Sequence, residues 1–147
     1  MKKILCIILT FLSYQVKSQI DLEIIKEIES AGDSLAYNKT DGGSRGLYQI
    51  APTCLVTYNK ITNHNYSLDD LYISRINKEI AVWMFDIEIP YLLKRCNVPN
   101  TLENRIIAYN AGISFLYHKK KIPKSTIAYI AKYKRLRNIK QSKVVKL

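Results

Sequence analysis

Apolar residues recur along this chain at helical spacing. Ile20, Ile24, Ile25 and Ile28 fall at i, i+4, i+5 and i+8, predicting an amphipathic helix over roughly Asp21 to Ala31 that Gly32 ends. Ile76, Ile80, Trp83, Met84 and Ile87 repeat at i, i+4, i+7, i+8 and i+11, marking a central buried helix that Pro90 bends or ends. Pro52 suits the first turn of a short helix, and Ser67 with Asp70 resembles a helix start. A further helix runs through "TLENRIIAYNAGI" from Thr101 to its close at Gly112, and a last one spans about Ser125 to Arg137 with Ile127, Ile130 and Ala131 on its buried side. No stretch of four or more residues alternates cleanly as a strand, and no repeat is visible. The predicted fold class is therefore mainly α. Between the first helix and Pro52, "DSLAYNKTDGGSRG" is dense in turn residues and reads as a long irregular loop, a feature that in a small domain is usually functional or disordered.

The N-terminus adds an address. Lys2 and Lys3 precede the short apolar run "ILCIILTFLSY", which reads as a secretory signal peptide over residues 1–18, since a permanent membrane helix needs ~20 apolar residues. The expected location is then periplasmic or secreted, in contact with the cell wall. Removal leaves one domain with room for a core. Only Cys54 and Cys96 remain, either paired in an oxidising compartment or as two free thiols. His64 and His118 stand apart from any Cys or carboxylate cluster, so no metal site is predicted.

Charge divides the chain more sharply than its total of +11 suggests. Residues 19–118 hold nine basic and twelve acidic groups, whereas Lys119 to Leu147 hold eleven basic groups and no acid. A basic tail over 134–147 follows the domain at 19–133. It is either a solvated end or a surface drawn to a polyanion such as an anionic wall polymer, lipid head groups or nucleic acid.

Glu29 is the leading candidate for chemistry. A carboxylate in the last turn of an apolar helix, entering a glycine-rich loop, is held and partly desolvated, which favours its protonated form. Such an acid can protonate a leaving oxygen, as in glycoside cleavage. The competing reading pairs Glu29 with Lys26 on the surface. The surroundings shift the balance. Glu29-Ser30, Ala36-Tyr37-Asn38, "GLYQIAPT" from Gly46 to Thr53, "AYNAG" from Ala108 to Gly112, and Thr126 with Tyr129 occur in this order.

This ordered set resembles the catalytic domain of the soluble lytic transglycosylases, relatives of goose-type lysozyme. Their pattern is E-S, A-x-S, G-L-M-Q-I-x-P-x-T, A-Y-N-A-G and E-T-x-x-Y, and the likeness covers nearly all of Ile20 to about Tyr133. It implies a lysozyme-like single domain with a long active-site loop, a monomer acting on peptidoglycan strands without a metal or organic cofactor. By the same resemblance Glu29 is the acid, then the base. Ser30, Asn38, Gly46, Leu47, Tyr48, Gln49, Tyr109, Asn110 and Tyr129 line or support the glycan cleft. Gly46 would let the backbone approach a sugar, Gln49 would bind an acetamido or hydroxyl group, Tyr48 would stack on a sugar, and Leu47 and Ile50 would anchor the turn. Asn110 either meets the sugar or makes a structural hydrogen bond. Three positions depart from the pattern: Asn38 stands for serine, Tyr48 for methionine and Ser125 for glutamate.

Other functions fit parts of the same pattern. A hydrolytic muramidase shares the acid, with Asp33 or Asp41 positioning water. Gly42-Gly43-Ser44-Arg45-Gly46 matches the G-x-S-x-G elbow of serine hydrolases, although no strand precedes it. A wall-binding or assembly protein, including one serving a secretion or phage apparatus through its basic tail, would have no need of Glu29.

Overall fold

A computed structural model describes residues 20–145, so the expected signal peptide lies outside the described residues. Helix α1 (Leu22–Ser30) starts at Asp21, whose carboxylate accepts the Glu23 N–H at 3.1 Å. It stops one residue earlier than expected, because Ala31 itself takes the left-handed conformation (φ 52°) and returns its N–H to the Glu27 carbonyl.

The loop expected to be irregular contains a small antiparallel hairpin. Strand β1 (Tyr37–Asn38) pairs with β2 (Ser44–Arg45) in the register Tyr37 to Arg45 and Asn38 to Ser44. Two-residue strands are too short to leave an alternation signal in sequence. Arg45 then bridges to Ile50 through reciprocal backbone bonds of 3.1 and 3.0 Å, closing Gly46–Gln49 into a tight turn.

Helix α2 (Pro52–Thr62) carries proline in its first turn as expected. Ser67 and Asp70 do cap one another, but around a 3-10 turn (Asp69–Tyr72) that precedes the next helix. The helical run from Ser74 to Arg95 is continuous: α3 (Ser74–Trp83), a π-turn (Met84–Glu88) and α4 (Ile89–Arg95). In the π-turn the Ile89 N–H bonds to Met84, five residues back. The extra residue rotates the apolar face, so Ile87 is 59% exposed instead of buried, while Phe85, Ile89 and Leu93 enter the core. Pro90 follows this widened turn within the first turn of α4, so it does not end the helix.

Helix α5 (Leu102–Asn110) begins at Thr101, which accepts the Asn104 N–H, and the chain turns at Gly112 (φ 92°). A short α6 (Ile113–Tyr117) follows, unpredicted. Helix α7 runs from Lys124 to Val144, through the boundary placed at residue 133, so the basic segment continues the domain's own helix. Its buried side is Thr126, Tyr129 and Tyr133, with Ile130 half-buried; Ile127 and Ala131 are exposed, contrary to the expected phase. The tyrosines decide that phase through hydroxyl partners, the Tyr133 oxygen accepting the Asp21 N–H at 2.7 Å. The two cysteines are free.

Candidate active site

The turn Gly46–Gln49 is held from behind by Asn77 of α3, a fully buried amide that sequence reasoning missed. Asn77 Nδ2 donates to the carbonyls of Leu71 (2.8 Å) and Arg45 (2.9 Å), and its Oδ1 accepts the Tyr48 N–H at 2.8 Å. The available signal was an amide set beside Ile76 on the apolar face of the helix. Gly46 is required by this packing. With φ at 76°, a Cβ there would lie 2.3 Å from the Leu71 carbonyl and 2.4 Å from Asn77 Nδ2. The close approach seen here is to the protein, with the glycine needed for packing against Leu71 and Asn77.

Tyr48 is also corrected. Its side chain is 1% exposed in the core, so it offers no face for stacking, and its carbonyl accepts the Tyr109 hydroxyl. Ile50 is buried and Leu47 packs half-buried against the core, as anchors should. Ser30 reaches Leu47 rather than the cleft: its Oγ donates to the Leu47 carbonyl at 2.8 Å and fastens the end of α1 to the turn. Asn38 is spent within the hairpin, donating to Asp41 (3.0 Å) and accepting from Thr40 through both its N–H and its hydroxyl.

Of the expected site residues, Glu29, Gln49, Tyr109 and Asn110 line the cleft. A cavity of about 240 Å³ is lined by Glu29, Asp41, Ser44, Gln49, Ile50, Ala51, Cys54, Met84, Tyr109 and Asn110. Gln49 Nε2 donates to the carbonyls of Ala36 (3.2 Å) and Gly46 (3.0 Å), which leaves its Oε1 as the free acceptor. The Asn110 Oδ1 accepts from the Thr126 hydroxyl at 2.7 Å, a structural hydrogen bond, and the exposed residue lines the cavity with its Nδ2 left as a donor. Tyr109 packs against Phe85 with the rings tilted by 30° and their centroids 4.5 Å apart, and its hydroxyl turns inward to the Tyr48 carbonyl. Asp41, one of the two aspartates expected to position a water, joins the lining, whereas Asp33 does not; Cys54 joins it without a signal in the sequence. Burial pushes the Cys54 thiol up to about 12, which keeps it protonated and poorly nucleophilic.

Glu29 is the titratable centre of this cavity. Lys26 pairs with Glu23 instead, and among the described residues Glu29 makes no ion pair. Its Oε1 accepts the Tyr129 hydroxyl at 2.8 Å across 100 residues of sequence. Burial raises the Glu29 carboxyl to about 7 and the Asp41 charge adds to this; the Tyr129 bond and the Lys132 charge oppose it. Burial, then the Glu29 charge, hold Tyr129 far above the usual phenol range, so it stays a donor. A carboxyl poised near neutrality, oriented by a fixed donor and open to a cleft, is equipped to give and retrieve a proton.

Ser44 lies 4% exposed within β2, and the hairpin around it is no strand-to-helix elbow. Among the described residues, no group of three or more His, Cys, Asp or Glu is arranged to hold a metal ion. A larger, shallower depression of about 610 Å³ around Pro90, Tyr91 and Lys94 contains no carboxylate.

The family model for the transglycosylase SLT domain matches residues 7–132, which takes in α1, the Gly46–Gln49 turn, α5 and Tyr129. The chain belongs to the transglycosylase SLT domain family. No curated protein and no solved structure gave a significant match. SLT membership agrees with the mainly α, lysozyme-like architecture, and it implies lytic transglycosylase activity on peptidoglycan. That substrate is a cell-wall polymer, so the SLT assignment suggests action outside the cytoplasm.

Proposed function

We propose that this SLT-domain protein cleaves the β-1,4 bond between N-acetylmuramic acid and N-acetylglucosamine in peptidoglycan, with Glu29 as acid and then base. The observation that carries this reading is the half-buried Glu29 carboxyl, raised to about 7 and held by the Tyr129 hydroxyl at 2.8 Å in the floor of a cleft. Protonated Glu29 gives its proton to the glycosidic oxygen as the C1–O bond breaks. The substrate's acetamido oxygen shares the positive charge at C1. The Glu29 carboxylate then takes the C6 hydroxyl proton while that oxygen bonds to C1, closing a 1,6-anhydro ring without consuming water. Gln49 Oε1 and Asn110 Nδ2 supply an acceptor and a donor for sugar groups, and Tyr129 orients the acid.

Asp41 supports a second reading. It lines the same cavity and its charge acts on Glu29, so a water activated by Asp41 would make the protein a hydrolytic muramidase. Digestion of purified peptidoglycan followed by mass spectrometry of the released fragments separates the two, with Glu29→Gln as control. Anhydro ends that vanish in the variant are expected; reducing ends would establish hydrolysis, and no release would favour a wall-binding protein.

A further inference from the structure

Arg137 apart, helix α7 carries its positive charges in two groups. One group is tied to the body: Lys134 pairs with Glu103 of α5, and Lys140 reaches Asp21 at the start of α1 at 2.6 Å. Together with the Thr126 bond to Asn110 and the Tyr129 bond to Glu29, these contacts fix the rotation of the helix. At ~100° per residue, Lys124, Lys132, Arg135 and Lys143 then share an arc of about 100° beside Tyr129. All four are exposed, and none forms an ion pair among the described residues. Lys132 is near enough to Glu29 for its charge to act on that carboxyl, so the stripe passes the reaction centre part-way along its length. From Lys124 to Lys143 it extends about 29 Å, the reach of several sugar units.

Sugar hydroxyls and acetamido groups are neutral and make no use of such a stripe. The anions on a peptidoglycan strand are carboxylates, and once a peptide stem is attached the muramyl lactyl group is an amide, leaving the stem's own carboxylates. The rest of the body, residues 19–118, is net acidic and would repel them. We propose that Lys124, Lys132, Arg135 and Lys143 hold the carboxylates of peptide stems on the strand being cut, making stem-bearing glycan the preferred substrate. This rests on the glycan-cleaving reading of the Glu29 cleft.

The test uses the full chain carrying Glu29→Gln, so that strands stay intact, with and without Lys124→Gln, Arg135→Gln and Lys143→Gln. Lys132 is left in place because its charge reaches Glu29. Glutamine sustains an exposed helix, and circular dichroism verifies the fold. Co-sedimentation is measured with peptidoglycan freed of phosphate polymers, with the same material stripped of stems by an amidase, and with chitin. Three lost contacts should weaken binding to stem-bearing material about tenfold at low salt. Loss on stripped material and chitin should stay under about twofold, and the tenfold difference should fade at ~1 M salt. Unchanged binding to stem-bearing strands would overturn the proposal. Equal loss on stripped strands would move the ligand to the lactyl carboxylate and overturn the stem assignment, and equal loss on chitin would overturn charge recognition. Because binding is read without turnover, a protein that binds stems yet releases no fragments would refute the catalytic reading alone.

Discussion

Replacing Glu29 with glutamine should stabilise the protein at alkaline pH while abolishing its activity. The Glu29 carboxyl ionises near 4.5 in the unfolded chain and at about 7 in the folded one, chiefly because burial disfavours the anion. Below pH 4.5 both states hold the proton and no penalty arises. Between 4.5 and 7 the folded state retains a proton that the unfolded chain has lost, so stability falls as pH rises. Above 7 the folded protein carries the full cost of a desolvated carboxylate, about 3 kcal/mol. Glutamine keeps an acceptor for the Tyr129 hydroxyl and has no anion to form. The variant should therefore match the wild type near pH 4.5 and exceed it by about 3 kcal/mol at pH 8, on the order of 10 °C in Tm for a domain of this size. Urea unfolding from pH 4.5 to 8.5 on both proteins measures the difference directly. Parallel stability profiles across that range would refute the claim that Glu29 is held desolvated and protonated.

Tyr129→Phe removes a donor that favours the Glu29 anion, so the falling limb of the kcat/KM profile, set near pH 7 in the wild type, should move to higher pH. An unmoved midpoint would mean that Tyr129 does not contact the working acid. Asn77→Ala leaves the Tyr48 N–H and the Arg45 and Leu71 carbonyls without their partner, and should cost about 3–5 kcal/mol in denaturant unfolding. Gly46→Ala should cost more than ~3 kcal/mol, since its Cβ meets the Leu71 backbone at 2.3 Å. Gly32→Ala, also at positive φ but in open space, should cost only about 1 kcal/mol in the same assay.

The sequence alone determined most of the helical segments and roughly where they start, though not the short α6. Asp21, Pro52 and Thr101 act through neighbours one to three residues away, so their effects are written locally. It also placed Glu29 at the mouth of a glycine-rich loop and set the order of motifs around it. Tertiary structure decided which way side chains face. The π-turn at Met84–Glu88 rotated everything after it, turning Ile87 outward, and the hydroxyls of Tyr129 and Tyr133 set the phase of α7 against its aliphatic residues. The same holds within the motifs. Tyr48, Ser30 and Asn38 looked like sugar contacts and instead build the scaffold, while Asp41 entered the cavity and Asn77 holds its wall. Each of these outcomes depends on a partner elsewhere in the fold or on the phase of a whole element. A residue's type limits the bonds it can make, but which bond it makes is settled only when segments 100 or more residues apart are packed together.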